Sequence, residues 1–210
     1  MKQVPYEGNR GNSCALSCYT MVARYLLPEL DITFEQLAEI ADYREGYVVW
    51  GFRVWKWMMD RGTHITNYDV IDYDGWVKRG IGGLRESVGE ANFRYYTEHT
   101  YDLEKVGEEA GSAFGHENFT YVRKEIGWED VMREFGKSGI CDLAIDMSSF
   151  RGKEELTLHR VVLIDITERE VVFHDPDIDW SGAYRHAPIG MFEDAVERVG
   201  GAELTRYSLE

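Results

Sequence analysis

With 210 residues, 44% of them apolar and 29% charged, the chain can bury a sizeable core and reads as globular rather than disordered. Its net charge of −15 argues against a nucleic-acid partner, because Lys and Arg supply the affinity for a phosphate backbone. The odd count of three cysteines excludes a full disulfide framework, no apolar run approaches the ~18–20 residues of a membrane span, and no basic-then-apolar leader is visible; the expectation is a cytoplasmic protein with reduced thiols and no membrane partner.

Residues 1–12 read as an extended arm and loop. A helix is predicted from Ser13 or Cys14 to Leu27, with Leu16, Met21, Val22, Tyr25 and Leu26 at near-helical spacing and Pro28 as its stop. Thr33 and Gln36 form a capping box for a second helix whose apolar face is Phe34, Leu37, Ile40 and Ala41. A third helix covers about 50–61, and Ile65–Ile71 has the composition of a strand. Residues 72–127 are rich in glycine and scattered aromatics; they read as a connecting region or insertion holding at least one helix. Trp128–Phe135 is a short helix ended by Gly136.

Strands follow. Ile140–Ile145 is one, and Leu158–Ile166 is a nearly continuous apolar run of the kind buried strands carry. Glu168-Arg169 is a turn, Val171-Val172-Phe173 the returning strand, Pro188–Val196 the start of another helix, and Leu204–Leu209 an edge strand. Helices first and sheet second points to an α+β fold, a helical half packed on an antiparallel sheet, in one domain over 1–210.

The chemistry turns on Gly11-Asn12-Ser13-Cys14-Ala15-Leu16-Ser17-Cys18. Cys14 and Cys18, at i and i+4, share a helix face. A zinc site needs about two more Cys or His ligands, and no paired spacing supplies them, so no metal is expected. A disulfide across one helical turn sits at the edge of the permitted Cα separation. Cys18 and Cys141 read as small core residues. Cys14 falls at a helix N-terminus, where partial positive charge and unpaired N–H groups stabilise a thiolate and can hold an oxyanion. That position suits a nucleophile if an imidazole is near.

The hairpin offers one. His159 lies inside Leu158-His159-Arg160-Val161-Val162, and Asp175 follows the returning strand in Phe173-His174-Asp175-Pro176-Asp177. Folding at Glu168-Arg169 brings both to the same open end. A two-residue loop sets Asp175 opposite Val162, about 10 Å along the strand from His159, so a twist, bulge or longer turn has to close the gap. Otherwise His159 is a core histidine and Asp175 an Asp-Pro turn residue. His64, His99, His116, His174 and His186 have no partner spacing and read as surface or turn residues; Trp50, Trp55 and Trp57 with Phe52 read as core and groove wall; Asp177 and Asp179 read as a solvated acidic loop. Phosphate loops and dinucleotide fingerprints are missing, Gly80-Ile81-Gly82-Gly83 lacking the strand–helix frame, so no cofactor is expected.

Taken together, these residues resemble the papain-like cysteine peptidases, in particular the bacteriocin-processing branch that cuts leader peptides after a double glycine. The N-terminal likeness is Val4-Pro5-Tyr6, a polar loop, then Asn12-Ser13-Cys14 opening a helix with Met21 and Arg24-Tyr25-Leu26. The C-terminal likeness is Leu158–Ile164 for the His-bearing strand, Val171–Asp177 for the Asn/His-Asp-Pro strand end, and Gly182 with Pro188–Ala195 for the closing segment. It covers roughly 3–61 and 127–197. Two features depart from the family: Ala15-Leu16 stands where Gly-Pro is usual, and Gly8 stands where a Gln whose amide helps form the oxyanion hole is usual.

The resemblance implies a papain-like fold and a peptide or protein substrate. Cys14 would be the nucleophile, His159 the general base and acid, Asp175 the carboxylate that holds the imidazole, and Asn9, with the Cys14 backbone N–H, the oxyanion partner. The same triad would serve an acyltransferase, and a cleft without its oxyanion amide would serve as a peptide-binding module. An unrelated α+β protein with core cysteines is the fourth reading.

Overall fold

A computed structural model describes residues 1–10, 13–152, 155–177, 182–200 and 203–209; Gly11, Asn12 and Asp179, named above, lie outside the described residues. The architecture is mixed: one seven-stranded sheet with helices on both faces.

The first helix, α1 (Cys14–Leu26), begins at the nucleophile candidate and buries most of its surface, including Leu16, Cys18, Tyr19, Met21, Val22 and Ala23. Its arginine, Arg24, sits in the last turn, where a cation suits the dipole, and the first turn carries no acid. A single 3₁₀ turn at Pro28–Leu30 redirects the chain. The Thr33–Gln36 capping box then forms as predicted and starts α2 (Phe34–Ile40). After α3 (Phe52–Met59) comes β1 (Thr63–Asp69).

The glycine-rich segment contains three helices, α4 (Tyr73–Arg79), α5 (Ile81–His99) and α6 (Leu103–Phe114), then β2 (Phe119–Arg123). Its aromatics Tyr73, Trp76, Phe114 and Tyr121 converge with Trp50 and Phe52 from the preceding segment in one stacked and edge-to-face cluster. The remaining elements are α7 (Trp128–Phe135), β3 (Ile140–Asp146), the one-turn α8 (Ser148–Arg151), β4 (Leu158–Ile166), β5 (Glu170–Asp175), β6 (Gly182–Pro188), α9 (Ile189–Glu197) and β7 (Leu204–Leu209).

The strand order is β2-β1-β7-β3-β4-β5-β6. Three expectations change here. The sheet is not wholly antiparallel, since β1 and β2 run parallel across the crossover made by α4–α6. Leu204–Leu209 is no edge strand but lies between β1 and β3, with Leu204 and Tyr207 fully buried. The strand β6, unread in the sequence, forms one edge.

Two apolar clusters sandwich the sheet. On one face, α1–α6 pack on Val162, Ile164, Val172 and Tyr207; on the other, α7 and α9 pack on Leu143, Ile145, Val161, Leu163 and Phe173. Alternation along β4 thus feeds both cores, which is why Val161–Ile164 is an unbroken apolar run. Among the described residues no helix is long and apolar enough to cross a membrane.

β3 enters through Gly139, at φ +107°, where an added Cβ would lie 2.0 Å from the Tyr207 carbonyl. Gly139→Ala is therefore expected to destabilise by about 1–3 kcal/mol, lowering the thermal midpoint measured by circular dichroism. Gly152→Ala, at φ +62° with open space at its Cβ, is expected to cost less.

Candidate active site

The hairpin β4–β5 solves the register problem with one extra residue. Ile166 pairs with Val171 and Asp165 with Val172, but then Leu163 pairs with Phe173 and Val162 with His174. Ile164 is the bulge. Without it, Asp175 would face Val162, on the opposite side of the sheet from His159, because a one-residue slip exchanges the faces. With it, Asp175 falls beside Val161, on the same face as His159 and two residues from it. The two side chains span that offset: His159 Nε2 lies 2.8 Å from Asp175 Oδ1.

Asp175 is fully buried and densely bonded. The Asp177 N–H donates to Oδ1 at 3.0 Å, and Arg185 Nη1 donates to Oδ2 at 2.5 Å. The N-terminal arm covers this strand end. Tyr6 Oη donates to the Asp175 carbonyl at 3.0 Å, and the Asn9 N–H to the Pro176 carbonyl at 2.6 Å. His174, expected at the surface, is fully buried instead; it bridges the Val4 carbonyl and the Tyr184 N–H at 2.9 Å each.

Cys14 is the first residue of α1, half-buried, beside His159 and the Arg160 backbone. Burial alone would raise its pKa. Hydrogen bonding and charge from His159, the Arg160 backbone N–H and the Arg160 guanidinium reverse the sign and hold the thiol below its ordinary value. A nearby opposite charge favours the ionised thiol and offsets the cost of burying it. The imidazole responds in kind: burial disfavours its charge, but hydrogen bonds to Asp175 and Cys14 push its pKa up to about 9. Both shifts favour the charged forms, a thiolate beside an imidazolium, over the neutral pair. Because Nε2 is committed to Asp175, Nδ1 is the nitrogen left for the sulfur.

The other cysteines are core residues, as expected. Cys18 is fully buried, with its thiol 3.3 Å from the Arg160 carbonyl, and desolvation drives its pKa far up. Burial pushes Cys141 to about 12.

Asn9 reaches the site by its backbone and braces the start of α1 with its side chain. Its Oδ1 accepts from the Ser13 N–H and from Ser13 Oγ, both at 2.9 Å. Ser13 remains the N-cap residue, and its own N–H and hydroxyl are held by Asn9 rather than its hydroxyl bonding the first turn of α1. With Oδ1 committed, the Nδ2 end is the donor available to a ligand, and among the described residues it meets no acceptor.

His159, Asp175 and Asp177 lie within 4.8 Å of one another, close enough to share a cation. Both carboxylates are already charge-paired, Asp175 to Arg185 and Asp177 to Arg151, so the set works as an ion-pair cluster. Arg185, Arg151 and Arg160 are the charged neighbours that sequence reading missed. Arg185 sits on the unread strand β6, so nothing local pointed to it. Arg160 adjoins His159 inside an apolar run, and a cation in such a run is itself a signal of a buried partner.

No family model and no curated protein matches the chain, and no solved structure matches its fold.

Iodoacetamide is expected to alkylate Cys14 well below the ordinary thiol pKa of about 8.5, with Cys18 and Cys141 untouched in the folded protein. Peptide mapping by mass spectrometry across pH 5–9 reads this directly. In His159→Ala the reaction is expected to move to alkaline pH, and a chelator is expected to leave the wild-type profile unchanged.

Proposed function

We propose that the chain is a papain-like thiol hydrolase that cleaves amide bonds in a peptide or protein substrate. The observation that carries this reading is the alignment of Cys14, His159 and Asp175 with the pKa directions just described: a depressed thiol, a raised imidazole and a buried carboxylate behind the ring. Partial burial serves the chemistry, because a thiolate bonded to an imidazolium remains nucleophilic near neutral pH. The resemblance of the Cys14 and His159 segments to leader-cutting peptidases favours a peptide substrate.

The thiolate of Cys14 attacks the scissile carbonyl carbon, forming a C–S bond and an oxyanion. The Cys14 N–H, at the start of α1, and Asn9 Nδ2 are the donors for that oxygen. His159 gives its Nδ1 proton to the leaving amine as the C–N bond breaks. Now neutral, it takes a proton from water, whose oxygen attacks the thioester and releases the acid. Asp175 keeps the ring oriented and offsets its positive charge through both steps.

A second reading, a peptide-binding cleft without turnover, draws on one observation. Gly8 lacks the amide expected there, and the substitute, Asn9, has a shorter side chain that is tethered to Ser13.

A peptide-library digest read by mass spectrometry separates the two. Hydrolysis that disappears in Cys14→Ala supports the enzyme; binding without cleavage, or an ordinary Cys14 thiol, supports the cleft. An added amine acceptor distinguishes acyl transfer from hydrolysis by the mass of the product. The rate is expected to follow a bell: rising below the ordinary thiol pKa as Cys14 ionises, and falling near pH 9 as His159 loses its proton. Asn9→Ala is expected to lower kcat by about 10²–10³ with a smaller change in KM, since the oxyanion exists only beyond the ground state.

A further inference from the structure

Asp175 holds more partners than a triad carboxylate requires. Oδ1 serves His159 and the Asp177 N–H, while Oδ2 is taken by Arg185. Arg185 stands on β6 directly opposite Phe173, with its guanidinium 5.8 Å above the ring centre. It therefore shares the face of Phe173 and Asp175 and meets Asp175 as a diagonal cross-strand neighbour.

This placement is built with some strain. The β5–β6 ladder slips between Phe173 and Asp175, which pairs with Gly182, and Tyr184 within the slip has φ +54°. A side chain as bulky as tyrosine avoids that region unless its surroundings impose it. Here the Tyr184 N–H donates to His174 Nδ1 at 2.9 Å and its ring packs edge-on against the imidazole, centroids 4.6 Å apart. His174 is anchored in turn to the Val4 carbonyl. The N-terminal arm, His174 and the turned backbone at Tyr184 together hold Arg185 against the carboxylate.

We infer that Arg185 is a positioning residue of the proposed hydrolase: it clamps Oδ2 so that Oδ1 faces His159, and its charge weakens the carboxylate's hold on the imidazolium. The inference rests on the hydrolase reading for its purpose. A buried carboxylate whose sole counter-ion was the imidazolium would bind that proton too firmly for a group that must deliver it to a leaving amine, and a general acid works best with a pKa near the working pH. The other charged or titratable groups around the pair are Cys14 and Cys18 on α1, Arg160 next along β4, Asp177 after β5 and its partner Arg151 on α8. Among the described residues, Arg185 is the guanidinium bonded to the Asp175 carboxylate itself.

The test is the titration of the His159 imidazole, followed by NMR at its Cε1 proton, in wild type and in Arg185→Met, Arg185→Gln and Arg185→Lys. Loss of a unit charge several ångströms away is expected to raise the His159 pKa by about half a unit or more in the Met and Gln variants. The alkaline limb of Cys14 alkylation is expected to move with it, and Lys to restore at least half of the shift. A His159 pKa that stays put or falls in the Met and Gln variants, or that Lys does not restore, overturns the inference. A merely structural arginine would lower the melting temperature without that pattern. Should Arg185→Met fail to fold, Arg185→Gln, which keeps an N–H donor, carries the comparison. The ring titrates whether or not Cys14 turns over a substrate, so an ordinary thiol at Cys14 sinks the hydrolase reading and leaves this measurement to be judged separately.

Discussion

The hydrogen bond from His159 to Asp175 exists because β4 contains one residue more than its partner strand. In a regular hairpin the carboxylate would point into the α1 side of the sheet while the imidazole pointed to the other. The bulge at Ile164 puts both on one face, and the length of two side chains covers the remaining ~7 Å. The rest of the site is arranged around that bond. The arm from Val4 to Asn9 lies across the strand end, β6 supplies Arg185, and α1 brings its first residue to the free nitrogen of the ring. A bulge is an economical device here, since it changes the register without altering the hydrophobic alternation on either side of it.

Beneath the site lies a second polar assembly. Arg160, buried, pairs with Asp142 Oδ1 at 2.6 Å and with Glu203, and its guanidinium stacks over Tyr19, 5.6 Å from the ring centre. Tyr207 Oη donates to Asp142 Oδ2 at 2.8 Å and accepts from Trp55 Nε1 at 3.0 Å. Burial pushes Asp142 up to about 6 despite the adjacent arginine. Buried ion pairs of this kind are not a net gain over apolar packing, but losing one partner typically costs about 3–5 kcal/mol, because the other charge is stranded. Here the pairing pins β4 at the residue whose N–H and carbonyl meet the thiols of Cys14 and Cys18. Register, thiol environment and core are thus fixed by the same guanidinium.

The legible parts of the chain are those whose signals are local. Trp128–Phe135 and Leu158–Ile166 match the structure residue for residue, one bounded by Gly136 and the other a continuous apolar run; Thr33 and Gln36 cap a helix by their own side chains. Reading the chain also singled out Cys14, His159 and Asp175, and the fold sets His159 Nε2 2.8 Å from Asp175 Oδ1 with Cys14 beside the imidazole. What was illegible depends on distant partners. The interior place of β7 is decided by β1 and β3, whose partners for it are remote in the chain (Thr63 for Leu209, Ile140 for Tyr207) and leave no mark in the strand's own sequence. In the 72–127 segment glycine usually reads as loop, yet two of these glycines serve close packing. A Cβ at Gly83 would sit 2.1 Å from the Gly75 carbonyl, and one at Gly107 would sit 2.8 Å from the Trp76 indole nitrogen. His174 reads as a turn residue by type, but its two ring nitrogens happen to match a carbonyl and an N–H inside the fold.

The groups that lower the Cys14 pKa and the group that braces the start of α1 are different residues. The thiolate depends on the start of α1, on His159 and on Arg160, all held by buried contacts. Ahead of α1, the Asn9 side-chain oxygen accepts from the Ser13 N–H and hydroxyl and so holds the N-cap residue in place. An amide in that place supports the N-cap residue and, unlike a carboxylate, still carries N–H donors. A carboxylate there would also set a negative charge beside the sulfur and oppose its ionisation. The asparagine therefore braces the start of α1 without adding a negative charge ahead of the thiol.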